Sequence, residues 1–476
     1  MQAGARVRCG DRPLQLVHAW TGVLLLWGLL LLLNPVGYVG GGNDDGRYLE
    51  AARCLVDYAG WCTPTTHRAA RWPVVVPLAT AIALLGETRT AVALASAPWA
   101  AATILLLVAM VHHWAGSRAA LLAGGTLVLT PVFTLMSLAP SSDLPELAFL
   151  IGGWVAASRG KPLGAGLLFG LAVATRETAA VSLVILPIAW RVWPPSTRSL
   201  VRGAVGLAAP LAAEALVHGV TAGDPLLRLH LALAHTSISS TELTTGTNPG
   251  SPLFNLTLVR HWKPATGIHV HWLLDPLLNL LASPWCGIVL AAATGLLAVS
   301  GRRAGALPWL LAIGSAAVAL VLIFVLAIDP KPRMFLVVIA AATAIIGIDL
   351  AKRLAAGERL VPLLLLALIA AKGMATIADQ PNLLRAEPIA ARWLSHAPRT
   401  LVLDANTKSR LALVREARPF RTGTGRPRLT LEAGPCKQGA ARGADIRRAD
   451  DGLIAAIRRT GFLLGPRERN SLCLYR

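Results

Sequence analysis

Asp44 and Asp45 stand side by side in GGNDDGRYLEAARCL, directly after the first long apolar run of the chain, with Tyr48 close behind them. A carboxylate can take a proton from an attacking hydroxyl. The planar guanidinium of arginine suits phosphate oxygens, which accept paired hydrogen bonds. Both kinds of group recur at the ends of later apolar runs: Arg71 in ARWP, Asp143 in SSDLPE, Arg176 with Glu177 in TRET, and Lys331 with Arg333 in DPKPRMF. Charge beside hydrocarbon is costly, so each position asks for a reason. A local reason exists for each. Asn43 or Asp44 can cap a helix over about 45–57, Asp143 can cap the run LPELAFL, and the arginines can reach lipid headgroups. Taken together, these acids and arginines form a candidate site for an anionic substrate with a carboxylate base nearby.

The elements that must position them are membrane spans. The 476 residues are 54% hydrophobic and only 15% charged, with a mean hydropathy of +0.57. That is too little charge to cover a soluble protein of this size. Apolar runs suited to a ~30 Å hydrocarbon core recur along the first four fifths of the chain. Candidate spans are 16–36, 91–112, 118–138, 143–158, 163–175, 178–193, 201–222, 273–300, 305–327, 334–351 and 360–377, about eleven in all. The two flanking TRET are short and read as a broken or steeply placed pair, tolerated where backbone lines a cavity. The stretch 73–86 is too short to cross and reads as an interfacial helix. The N-terminal run lacks a small-residue cleavage site, so it reads as an uncleaved first span.

Lys and Arg set the orientation. With the N-terminus in the cytoplasm, the inside loops hold Arg6, Arg8 and Arg12, then Arg118, Arg159 and Lys161, and basic residues continue through each later inside loop. The outside segments are then 37–90, 139–142, the turn at 176, 223–272, 328–333 and the tail. All five charged sets fall on that outside face. Counting 73–86 as a full span would invert everything after it and spoil the pattern. The formal charge of +20 is scattered through short loops rather than gathered in a stripe, which argues against nucleic acid as a partner.

Cys54 and Cys62 share the first outside loop, and Cys436 and Cys473 share the tail. Each pair fits an oxidising compartment as a disulfide, with two free thiols the alternative. The chain divides into a transmembrane domain over 1–378 and an outward-facing unit over 379–476. In the latter, TLVLDAN, LTLEA and SLCLYR are strand-like. EPIAARWLSHAP, SRLALVREA and DGLIAAIRR are helix-like, enough for a small α/β domain. The sequence shows no internal repeat and no phosphate-binding glycine loop.

NDDGRYLEAARCL resembles the first-loop motif of the polyprenyl-phosphate-dependent GT-C glycosyltransferases, the superfamily of dolichyl-phosphate-mannose protein mannosyltransferases and aminoarabinose transferases. RWPVVVPLATAIALLGE looks like the next element of that superfamily, a basic residue before proline and an apolar run ending in glycine. SRAALLAGGTLVLTPVFTLMSLAPSSDLPELAF is similar to its run into a second outside acidic loop. GAGLLFGLAVATRETAAVSLVILPIA resembles its Gly-rich segment, and KPRMFLVVIAAATAI its late Pro-Arg-aromatic element. The similarity covers about residues 16–195 and, more loosely, 328–350. Asp45 stands where Glu is commoner, Trp72 replaces a proline, and Met334 replaces an aromatic.

The resemblance implies a GT-C-like fold and transfer of a sugar from a polyprenyl-phosphate carrier to a protein, lipid or glycan acceptor outside the membrane. It implies that Asp44 accepts the acceptor's proton, with Asp143 orienting the acceptor or sharing that work. Asp45 holds the first-loop helix or an arginine. Tyr48 belongs to the substrate site. Arg71, Arg176 and Arg333 stabilise the departing phosphate. No cofactor is expected. His67, His269 and His271 also lie outside, and the HVHW pair reads as an interfacial loop rather than a metal site. Two rival readings stay open: a transporter or lipid flippase, and a polysaccharide polymerase or ligase using a diphosphate carrier. A transporter places its charges near the bilayer midplane and is often built from repeats; here they gather at one face.

Overall fold

The computed structural model describes residues 13–33, 44–58, 62–64, 66–86, 88–192, 194–234, 274–326 and 331–379. In the tail it describes 402–403, 421–422, 428–433, 436, 438, 440–445 and 470–475.

The apolar runs form helices in the expected order. α1 (Pro13–Leu33) is followed by α2 (Asp44–Asp57) and α3 (Trp72–Leu85). α2 is the amphipathic helix expected over 45–57. α3, at 14 residues, is the run judged too short to cross. α4 (Arg89–Leu129) is two arms joined at Gly116, whose φ of 83° only glycine adopts easily. The arms correspond to the separate expected spans 91–112 and 118–138. The second of these breaks again at Pro131, where α5 (Pro131–Met136) begins.

α6 (Asp143–Ser158) and α7 (Pro162–Thr175) form the next pair, followed by the short α8 (Ala179–Ser182) and α9 (Ile185–Val192), then α10 (Thr197–Ala222) and α11 (Leu227–Ala234). After the 235–273 stretch come α12 (Asp275–Ala282) and α13 (Gly287–Ser300). α14 (Ala306–Leu320), which ends in a π-helical turn over Val321–Val325, α15 (Leu336–Ala355) and α16 (Leu360–Asp379) complete the set.

The run 273–300, expected as one span, is instead α12 and α13 bent by 103°. Ser283 and Pro284 begin the break and Cys286 caps the second helix. Among the described residues six helices are long and apolar enough to cross a membrane, or seven if the bent pair is one span. The expected tally of eleven therefore includes segments such as α7 and α8–α9 that are too short to cross upright.

α4 is the central helix, packed by α1, α6 and α15 through a core that includes Ile104, Leu107, Leu127, Phe133, Ile339 and Ile346. α7 lies against α10 at very short range, because a Cβ on Gly166 would run into the Gly203 carbonyl and one on Gly206 into that of Leu163. Small residues allow this approach where lipid gives no hydrophobic drive for association.

The tail contains a five-stranded sheet in the order β2–β1–β3–β5–β4, with β1 (Val402–Leu403), β2 (Arg421–Thr422), β3 (Arg428–Ala433), β4 (Ala440–Asp445) and β5 (Asn470–Tyr475). β1 runs parallel to β2 and β3, and β5 runs antiparallel to β3 and β4. Cys436 is disulfide-bonded to Cys473 of β5. The three expected strand segments are β1, β3 and β5. β4, AARGAD, was not expected, and it carries none of the β-branched or aromatic residues that signal a strand. The three expected helices of the tail lie outside the described residues.

Candidate active site at one end of the bundle

Helix ends bring the site together. α2 starts at Asp44 and Asp45, of which only the backbone is described. Tyr48, one turn later, is buried with Leu49 and Ala52 against Val74, Val75 and Leu78 of α3. The Cys54–Cys62 disulfide ties the start of the connection toward α3 back to the last turn of α2. Arg71 is the residue before the first turn of α3, and its carbonyl accepts from the Val74 and Val75 amides. Pro73 cannot donate, so it suits that first turn. The Arg71 side chain folds inward and is only 8% exposed.

Arg71 Nη1 donates to the Tyr48 hydroxyl oxygen at 2.7 Å and to Ser142 Oγ at 3.2 Å, while Nη2 meets Glu177 Oε2 at 2.8 Å. α7 ends at Thr175, and Arg176 leaves it in an extended conformation. This directs Arg176 to the first turn of α6. There its Nη1 contacts Asp143 closely and Glu146 at 3.5 Å, while its Nη2 faces the Met334 sulfur.

Glu177 is shared by two arginines: its Oε1 lies 3.2 Å from Arg228 Nη1 of α11. Arg228 Nη1 also donates to the Val173 and Ala174 carbonyls, which end α7 without helical partners. Arg228 Nε reaches Glu214 Oε1 of α10 at 2.6 Å. His218, one turn on, lies 3.6 Å from the same oxygen, with its ring tilted over Trp72 at 6.0 Å. Burial disfavours charge on Glu177, but Arg71 and Arg228 more than offset it and hold its carboxyl at about 2.

Four residues expected from sequence, Tyr48, Arg71, Asp143 and Arg176, thus meet in one cluster. Arg333 sits on the 3-10 turn Pro332–Phe335, beside the Met334 that touches Arg176. Asp44 and Asp45 begin the helix that carries Tyr48. Glu177 was noted only as the neighbour of Arg176; here it joins two arginines. Glu146, Glu214, Arg228 and Ser142 were not anticipated. Glu146 was detectable, because it lies at i+3 from Asp143 on one helix turn; Arg228 carried no local signal. His269 and His271 lie outside the described residues.

The arrangement has consequences for its chemistry. Arg71 and Arg176 already hold carboxylates, so any anionic ligand would have to join or displace them. Asp143 is held by Arg176.

Residues 72–218 match the family model of dolichyl-phosphate-mannose-protein mannosyltransferase. Over the span that supplies Asp143, Arg176, Glu177 and Glu214 the chain is therefore similar to that family. Among solved structures it is similar to ArnT from Cupriavidus metallidurans bound to undecaprenyl phosphate, at 16% identity, covering 84% of this chain and 74% of that one with a TM-score of 0.45. It is also similar to the apo oligosaccharyltransferase of Archaeoglobus fulgidus, at 15% identity, covering 86% of this chain and 61% of that one with a TM-score of 0.49. No curated protein sequence matches the chain.

Proposed function

We propose that this protein is a multi-pass membrane glycosyltransferase that moves a sugar from a polyprenyl-phosphate carrier to an acceptor on the extracytoplasmic side. The observation that carries the reading is the convergence of Arg71, Arg176 and Arg228 with buried and half-buried carboxylates at helix ends, inside a bundle of apolar helices. A lipid-linked phosphate needs a cationic site at such a boundary, where tail and headgroup meet different solvents. The family match over 72–218 supports the same class of donor.

In this mechanism Asp44 accepts the proton of the acceptor hydroxyl as that oxygen bonds to the anomeric carbon. The bond from that carbon to the phosphate oxygen breaks, and its electron pair stays with the lipid phosphate. Arg71, Arg176 and Arg333 face the growing charge. Asp45 holds the start of α2 and Tyr48 positions Arg71. Asp143 takes the narrower role of fixing Arg176. The site uses arginine charge, and the reading assigns it no metal or cofactor. The acceptor is a protein, lipid or glycan.

The Cys54–Cys62 and Cys436–Cys473 bonds support placing the first loop and the tail on the oxidising side, with the N-terminus in the cytoplasm. Lys352, Arg353 and Arg159 at the other helix ends favour the same orientation. The test is binding of undecaprenyl phosphate to the purified protein in nanodiscs. We expect saturable binding that Arg71→Met weakens by at least tenfold. No binding by the parent protein contradicts the reading.

A further inference from the structure

A groove of about 840 Å³ lies apart from the arginine cluster. The cluster gathers where α6 starts, at Asp143, and where α7 ends, before Arg176. The groove is lined by the other ends of the same helices, through Trp154 and Ser158 of α6 and Pro162 and Phe169 of α7, about 15–20 Å away along the helix axis. Leu186 of α9 and Leu207 of α10 also line it. So do Gly166 and Gly203, which meet where α7 crosses α10, and neither puts a side chain into the space. At this volume it reaches the upper end of the range for ligand sites. Unfilled walls would forfeit their dispersion contacts, and the solvent around a bundle of apolar helices is lipid.

The edge of this groove is basic. Ser158, Gly160 and Pro162 line it, and Arg159 and Lys161 between them are exposed. Ser199 and Gly203 line it, and Arg198 and Arg202, one residue before each, are exposed as well. The segments 105–122, 150–172 and 183–209 contain the whole lining, and none of them has an Asp or Glu. At the other end of the bundle Arg71, Arg176 and Arg228 are already paired with carboxylates; here no local acid cancels the positive charge. Orientation in the membrane calls for basic residues at such an end, but it calls for no groove between them. In the orientation proposed above this is the cytoplasmic end, where the leaflet carries anionic lipid.

We propose that this groove binds an anionic glycerophospholipid of the adjoining leaflet. Its acyl chains lie against α6, α7, α9 and α10, and its phosphate sits among Arg159, Lys161, Arg198 and Arg202. The apolar walls match the chains, and the acid-free basic edge selects an anionic headgroup over a zwitterionic one. The carrier also has a phosphate, but that phosphate belongs at the opposite ends of α6 and α7, where the reaction is placed. The lipid fills the space between α6 and the close α7–α10 pair, so it binds as a part of the folded bundle and takes no part in transfer.

Native mass spectrometry of the full chain tests this, with the protein released from detergent micelles that hold dioleoyl phosphatidylglycerol and dioleoyl phosphatidylcholine in equal amounts. The parent should retain phosphatidylglycerol in preference to phosphatidylcholine by roughly tenfold or more. Ala204→Trp puts a ring into the groove and leaves every charge in place, and it should lose the retained lipid by about tenfold. Val205→Trp adds the same bulk at a position 57% exposed and outside the lining, and it should retain lipid like the parent. Arg198→Gln with Arg202→Gln should bring the preference down to near parity while phosphatidylcholine still enters. A parent that retains no lipid leaves the groove to another part of the chain or to a second copy, and overturns the proposal. Equal retention of the two lipids by the parent, or unchanged retention by Ala204→Trp, overturns it too. So does undecaprenyl phosphate that displaces phosphatidylglycerol at equal concentration, which would make the groove a carrier site. None of these results depends on sugar transfer, so the proposal and the transferase reading fail separately.

Discussion

Replacing Arg71 by Met removes the guanidinium while keeping much of its apolar stem. Three contacts go: the ion pair to Glu177 at 2.8 Å and the hydrogen bonds to Tyr48 and Ser142 at 2.7 and 3.2 Å. Removing one partner of a buried pair costs about 3–5 kcal/mol. Glu177 is 29% exposed and keeps Arg228, so about 2–3 kcal/mol is the appropriate share. The two hydroxyl oxygens each lose a donor, adding about 1 kcal/mol apiece. Arg71→Met should therefore destabilise by about 4–5 kcal/mol, and Glu177→Gln by about 2 kcal/mol. In the double variant the orphaned charge is gone, and its loss should fall short of the sum by about 2 kcal/mol. Reversible unfolding in mixed detergent–SDS micelles measures all four proteins. Additivity within about 0.5 kcal/mol would show that Arg71 and Glu177 are not coupled, and would refute the clamp on which the site description depends.

Glu177 also sets a pH dependence. Its carboxyl lies at about 2 in the folded protein and at roughly 4.3 when unfolded. The stabilisation is thus fully present above the unfolded value and lost as pH falls toward the folded one. The parent should lose up to about 3 kcal/mol across that window, and Glu177→Gln should lose correspondingly less; parallel acid limbs would count against the reading. Cys54, Cys62, Cys436 and Cys473 should resist maleimide until reduced, given their two disulfides. Opening the first bond should cost about 2–3 kcal/mol, read by the same unfolding assay; free labelling without reductant contradicts the pairing. Gly166→Val should cost about 3 kcal/mol by forcing α7 from α10. Gly164→Ala, where an added Cβ meets nothing, should be neutral or stabilising. Equal effects of the two changes would refute the close crossing.

Hydrophobic runs announce helices without saying how the helices end, and this divides what was legible from what was not. α1, α3, α10, α15 and α16 follow their runs closely because length and apolar content suffice to define them. The bend between α12 and α13 hides inside one continuous apolar run, where Pro284 is the visible breaker. The site was partly readable because charge at the rim of a span is expensive, which singled out Arg71, Asp143 and Arg176. Their partners were less visible. Arg228 is an ordinary loop arginine by sequence, and it acquires meaning only where α11 returns it to the end of α7. Glu177 appeared as the neighbour of an arginine, and the fold makes it the link between two others. Asp143 stands out in SSDLPE, but its ion pair with Arg176 is visible only in the fold.

Glycosyl transfer from a lipid phosphate is tested most directly by sugar transfer in membranes, with radiolabelled polyprenyl-phosphate sugars and the parent compared with Asp44→Asn at equal protein level and insertion. The parent should transfer sugar and the variant should lose at least a hundredfold, the scale of a missing general base. Full activity of Asp44→Asn would remove that residue from the mechanism, and no transfer by the parent from any such donor would contradict the proposed glycosyltransferase function.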